Sequence, residues 1–166
     1  MALSKITKAD DITLSGGVYL GGTGSANYLD DYEEGTWTMV AGGSGGQSGQ
    51  SYAAQTGRYT KIGRLVNVCG YFQVSNIGTV SGTYAQVQGL PFSAGSGTSA
   101  NASGAFGYFT GIGTSNAGMF LYVPNGSSVA YVTYRSSFGT SSLYLSPSGW
   151  GSSPQFMFSL TYTTDA

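Results

Sequence analysis

The sequence contains no histidine among its 166 residues. That absence removes the commonest general base, the commonest metal ligand and any Ser-His-Asp arrangement at once. The G-x-S-x-G match in "GGSGG", residues 42–46, therefore has no partner for Ser44. In a chain so rich in glycine and serine such a match is expected by chance, and Ser44 is read as loop. No G-x-x-x-x-G-K-[ST] occurs, which excludes a phosphate-cradling P-loop. Charge is scarce as well, at 8% against roughly 25% in an average soluble protein. Between Arg64 and Asp165 the only ionised side chain is Arg135. A net charge of −1 with no basic cluster argues against nucleic acid as a partner. The single Cys69 leaves no intramolecular disulfide, and its apolar setting "LVNVCGYF" predicts a small buried hydrophobe rather than a reactive thiol. The N-terminal "MALSKITKADD" lacks the apolar stretch of a secretory signal. No apolar run approaches the ~20 residues of a membrane helix. The expectation is a protein made in a cytoplasm, with no membrane insertion, that reaches any exterior location by assembly.

What the chain has in abundance is glycine, 28 residues, together with 13 Tyr, 8 Phe and 2 Trp. Aromatics in that number supply far more burial than disordered segments carry, so the chain is expected to fold as one domain plus a tail. About a hundred residues depend on hydroxyls, amides and backbone for solubility. Such a surface points to self-association or incorporation into a larger assembly. A monomeric β-protein with a neutral Ser/Thr/Gly face is the alternative.

No window shows sustained apolar spacing at i, i+3, i+4, i+7; period-two patterning bounded by Gly, Ser, Asn or Pro recurs instead. The fold class read from this is all-β, a β-sandwich or jelly roll. In "QFMFSLTYT", residues 155–163, Phe156, Phe158, Leu160 and Tyr162 share one face. "MFLYVPNGSSVAYVTYR" predicts a hairpin around Asn125-Gly126. "GRYTKIGRLVNVCGYFQV" predicts another around Gly63, its second strand apolar on both faces and central in a sheet. Further strands are expected at 36–40, 83–88, 104–112 and 142–146, with Gly/Ser loops at 41–51 and 93–103. Residues 1–27 have too few apolar side chains for a core and read as an extended arm that gains order against a partner. Leu14, Val18, Tyr19 and Leu20 would anchor it in a groove or on a sheet edge. Residues 28–166 form the β-domain.

Where arm meets domain stands "YLDDYEEGTWTMV", residues 28–40, which holds four of the seven carboxylates: Asp30, Asp31, Glu33 and Glu34. A glycosidase pair would come from rigid, separate strands, and the remaining acids, Asp10, Asp11 and Asp165, lie near the ends. Calcium coordination by the cluster at a trimer axis is conceivable in ligand type but lacks the alternating D-x-D-x-D-G spacing. The simplest expectation is that the cluster is solvated or paired with Arg58, Lys61 and Arg64, half of the chain's cations within seven positions. No catalytic residue, metal site or cofactor is expected.

These residues carry a resemblance. "GGVYLGGTGSANYLDDYEEGTWT", then "YAAQTGRYTKIGRLVNV", then "QGLPF" resemble, in motif order over residues 16 to 92, a module recurrent in bacteriophage structural proteins, notably of marine and cyanobacterial phages. Asp30, Asp31, Glu33, Glu34 and Trp37 lie in its opening motif. Met39 departs from it, since proline is usual there. The resemblance implies a virion fibre or decoration protein, a homotrimer of β-sandwich or jelly-roll subunits. With only 27 residues ahead of the motif and no fibre shaft, a capsid decoration (cement) protein or short head fibre attached through its arm is expected. The alternative is a receptor-binding tip or component of a tail fibre that recognises a host surface glycan. Trp150, in the Pro/Gly/Ser loop "LSPSGWGSSPQ", is then the candidate glycan contact. Against that stands a Trp150 that folds back to plug the fold or packs at the trimer interface. Tyr108 and Tyr122 are less informative because both lie in strand patterns.

Overall fold

A computed structural model of the chain describes residues 16–114 and 117–165. Leu14 lies outside the described residues. The strands are β1 (Val18–Tyr19), β2 (Tyr28–Leu29), β3 (Tyr32–Trp37), β4 (Val40–Gly43), β5 (Gly46–Ser48), β6 (Ser51–Ile62), β7 (Leu65–Asn76), β8 (Thr79–Ser81), β9 (Ala85–Gln88), β10 (Ala102–Thr110), β11 (Gly118–Val123), β12 (Val129–Arg135), β13 (Leu143–Tyr144) and β14 (Gln155–Thr163). Three 3-10 turns, at Ser25–Asn27, Thr98–Ala100 and Pro147–Trp150, are the only helical elements among the described residues. The protein is all-β.

Nine strands form one path in the order β3-β6-β7-β14-β10-β11-β12-β9-β4, with β13 added beside β12. Every pairing along it is antiparallel. The two ends of this path are consecutive in the chain, since β3 stops at Trp37 and β4 starts at Val40. Laid flat, eight inter-strand gaps would separate them by about 38 Å, yet three residue steps reach at most about 11 Å. The sheet must therefore curl until its edges meet, and Thr38-Met39 bridges them.

The curl gives the sheet an inside. Val66, Val68, Phe72 and Val74 of β7 and Phe156, Phe158, Leu160 and Tyr162 of β14 are all buried there. Edge-to-face and tilted aromatic contacts run through this interior, from Trp150 to Phe156 (5.2 Å between ring centres), Phe156 to Phe106 (4.8 Å) and Phe158 to Trp37 (6.1 Å). Met39 is fully buried, and it lies over the directly paired Gly57 and Gly70. A β-carbon on Gly70 would sit 2.6 Å from the Met39 methyl, and one on Gly57 2.5 Å from the Trp37 indole nitrogen. The two glycines form the hollow into which Met39 fits.

Both predicted hairpins are present. β6 and β7 are joined by a two-residue turn in which Gly63 has φ +54, a backbone conformation that side-chain-bearing residues avoid. β11 and β12 flank residues 124–128, where Ser127 N–H closes a turn onto Pro124 O at 3.2 Å and Gly126 takes φ +71. Strand β14 coincides with the alternating 155–163 segment.

Several expectations need correction. β7 is apolar on one face only: its even-numbered residues Val66, Val68, Phe72 and Val74 point inward, which sends Leu65 and Cys69 out. Cys69 is accordingly exposed rather than buried. The strand expected at 36–40 is two strands, β3 and β4, that belong to opposite edges. The supposed loop 41–51 holds most of β4 and all of β5, which pairs with β8. Glycine-rich composition hid these strands, because small residues suit the close approach of the curl. In the described part of the N-terminal segment, expected as an extended arm, β1 pairs with β2 as a small hairpin in a sheet separate from the large one. Leu20 N–H bonds to Asn27 O (2.8 Å), and the Asn27 side chain returns a 2.8 Å bond to Leu20 O. Tyr28 and Leu29 thus belong with the segment before them, and the large sheet begins at Tyr32.

Candidate functional site

The acidic stretch sits on the β3 edge against β6. Register places Glu33 opposite Lys61, Glu34 opposite Thr60 and Trp37 opposite Gly57, so alternation sends Glu33 and Glu34 to opposite faces. Asp31 forms an ion pair with Lys61, itself only 7% exposed. Glu33 accepts the Tyr59 hydroxyl, and Glu34 accepts the Tyr32 hydroxyl at 3.2 Å. Each of these hydrogen bonds to a carboxylate holds its tyrosine's pKa above the ordinary value. Arg64 instead bonds Thr164 O at 3.0 Å. Asp30 is exposed. The carboxylates are thus distributed along a strand edge, and among the described residues no three of His, Cys, Asp and Glu gather as a group able to hold a metal ion. Trp37 is 7% exposed and donates its indole N–H to Cys69 O at 3.3 Å. It ties the edge strand across β6 to β7.

Ser44 is turn scaffolding: its hydroxyl accepts the backbone N–H groups of Thr83 (3.0 Å) and Tyr84 (3.2 Å). Trp150 is 0% exposed. The 3-10 turn Pro147–Trp150 folds it back into the interior, where its N–H donates to Gly42 O at 2.8 Å and its ring meets Phe72 and Phe156. So placed, it plugs the fold and offers no face to a sugar. Val18 is half-buried, while Tyr19 and Leu20 are exposed on the small hairpin, with Tyr19 against Tyr28 at 4.8 Å. Tyr108 is exposed on β10, just past the bulge at Gly107.

The surface feature that stands out lies on the outer face of β11, β12 and β13. Outward parity puts Tyr122 opposite Tyr131 across the β11–β12 pair, and Tyr144 opposite Thr133 across the β12–β13 pair. Tyr84, just before β9, completes a cluster. Its ring lies 4.8 Å from Tyr144 and 5.6 Å from Tyr131, while Tyr131 is 5.7 Å from Tyr144 and stacks on Tyr122 at 6.5 Å. Partial burial, followed by the neighbouring phenols of Tyr122, Tyr84 and Tyr131, raises the Tyr144 pKa. Beside the cluster runs an open groove of about 640 Å³, lined by Ser103, Phe120, Tyr122, Thr133, Arg135, Ser142 and Tyr144 among others. Its size falls in the roughly 300–1,000 Å³ range of small-ligand sites. The Tyr122 hydroxyl donates to Asn101 Oδ1 at 3.1 Å. The Arg135 guanidinium lies 5.8 Å from the centre of the Phe120 ring and bonds Ser142 Oγ at 3.5 Å. No single segment announces this site, for each tyrosine alternates within its own short strand and only register brings them together. The signal present in the sequence is the two-residue spacing of Phe120 and Tyr122 on one face of β11.

No helix among the described residues is long and apolar enough to cross a membrane. No protein-family model, no curated protein and no solved structure matches the chain.

Proposed function

We propose that the chain is a non-enzymatic structural protein of a bacteriophage virion, a homotrimer assembled on the particle exterior as a capsid decoration (cement) protein or short head fibre. In this reading the curled sheet is a jelly-roll or sandwich subunit, and residues 1–27 attach it to the capsid. The resemblance of residues 16–92 supports the assignment. The observation that carries it is the sheet's outer face: β7, β14 and β10 are neighbours in the sheet and contain no charged residue at all. On that face Leu65, Met157 and Tyr108 are each nearly half exposed. An uncharged face of this extent is unfavourable in a monomer and suits burial against identical copies. Sedimentation of the purified full chain at micromolar concentration is expected to give the mass of three protomers, and Met157→Glu, which puts a charge in the middle of the face, to give one. A wild-type protein that sediments as a stable monomer overturns the trimer.

A second reading, a receptor-binding tip or component of a tail fibre that recognises host surface glycan, is favoured by the tyrosine-lined groove beside that face. Labelling the protein on intact particles separates the two by placing it on head or tail.

A further inference from the structure

We propose that the groove over β11, β12 and β13 binds an acidic saccharide, its pyranose ring stacked on tyrosine and its carboxylate held by Arg135. The inference goes beyond the structural role and holds for a protein on either head or tail.

Three observations carry it. The first is the tyrosine cluster, in which each ring is supported by at least two others at 4.8–6.5 Å. Such packing keeps the Tyr144 and Tyr122 faces in place without a ligand, so little side-chain entropy is lost when one binds. Tyr144 remains 47% exposed and Phe120 36%. Flat aromatic surface of this kind matches the apolar face of a pyranose ring.

The second is the polar lining. Ser103, Tyr122 and Ser142 border the same groove, and their hydroxyls can donate or accept as sugar hydroxyls require.

The third is charge. Arg135 is the sole ionised side chain between Arg64 and Asp165, and it is exposed in the groove. The one ion pair among the described residues belongs to Lys61 and Asp31, and the strands from β9 to β13 contain no carboxylate. Phe120 and Ser142 hold the guanidinium at the groove wall, leaving its remaining N–H donors for an incoming anion. A guanidinium fork matches a carboxylate in two parallel hydrogen bonds, so a uronic-acid-type sugar complements this groove better than a neutral one.

The test uses the full chain with tetragalacturonate and its methyl ester, the same sugar without charge, by calorimetry and by tyrosine fluorescence. Tetragalacturonate is expected to bind, and the ester to bind about tenfold more weakly. Arg135→Gln should bring the acid to the ester's level, whereas Arg58→Gln, which removes an exposed cation from β6, should leave it unchanged. Tyr144→Ala is expected to weaken both ligands about tenfold, and Tyr144→Phe, which keeps the ring, to retain them. Binding of neither ligand overturns the proposal, as does equal binding of acid and ester. Sedimentation of the same samples reports assembly separately. If Arg135→Gln and Tyr144→Ala shift the oligomeric mass and no saccharide binds, the groove is an inter-subunit surface and the proposal fails, while the trimer reading stands.

Discussion

Tyr162 extends its hydroxyl into the interior, 2% exposed, where it donates to Phe92 O at 2.9 Å. Burial, opposed by the Phe92 N–H that donates to the same hydroxyl at 3.4 Å, pushes its pKa from 10.0 up to about 12. Its folded pKa therefore exceeds the unfolded value. The stabilisation is complete below about pH 10 and is lost as pH climbs toward 12, where the unfolded chain releases a proton that the folded chain keeps. Urea unfolding at about pH 9 and about pH 11.5 should show a fall of about 2 kcal/mol from this residue. Tyr162→Phe should cost about 1 kcal/mol near neutrality through the lost hydrogen bond and flatten the alkaline decline. An equally steep decline in the variant would assign the loss elsewhere. The inward parity of Tyr162 was legible in "QFMFSLTYT". The burial of Trp150 was open between two readings, because a Pro/Gly/Ser loop carries no periodicity. What decides it is a bond to Gly42, 108 positions away.

At the scale of elements, local pattern was readable wherever a strand alternates and a turn needs glycine, as in β14 and in the hairpins at Gly63 and Gly126. It was unreadable where glycine serves space instead. β4, "VAGG", has almost no side chain, yet it closes the sheet against β9. The Gly57–Gly70 pair likewise reads as weak strand until Met39 and Trp37 are seen above it. A methyl added at either site overpacks the interior, at about 1–3 kcal/mol. Gly57→Ala should cost more than Gly70→Ala, because it meets the rigid Trp37 indole rather than the flexible end of Met39. Met39→Ala alone should cost about 2–5 kcal/mol through the cavity it leaves. Combined with Gly70→Ala it should cost less than the sum by about 1 kcal/mol, since each change relieves the other. Additive unfolding free energies would show that Met39 does not occupy the hollow. The same packing accounts for Met39 at this position: the side chain fills a space made for it.

For the whole molecule, the question is where the independently stable unit starts. Composition placed the boundary at 27/28, whereas hydrogen bonding groups Tyr28 and Leu29 with β1, where Gly17 N–H also bonds the Tyr28 hydroxyl at 2.7 Å. A two-stranded hairpin is marginal alone, and this one joins no strand of the large sheet. Removing residues 1–30 should therefore leave the unfolding free energy of the β-domain within about 1 kcal/mol of the full chain. Removing one residue more should not be tolerated equally. Asp31 neutralises the nearly buried Lys61, and its carbonyl accepts Gly63 N–H at 2.6 Å in the β6–β7 turn. Loss of both leaves an ammonium unpaired in a poorly solvated place and should cost about 2 kcal/mol or more. Urea midpoints of the two truncations, one residue apart, read this step directly. On the attachment proposed for the N-terminal segment, the shorter truncation should also stay folded and fail to bind particles. If it unfolds the domain, the segment belongs to the core; if it folds and still binds, attachment lies on the sheet.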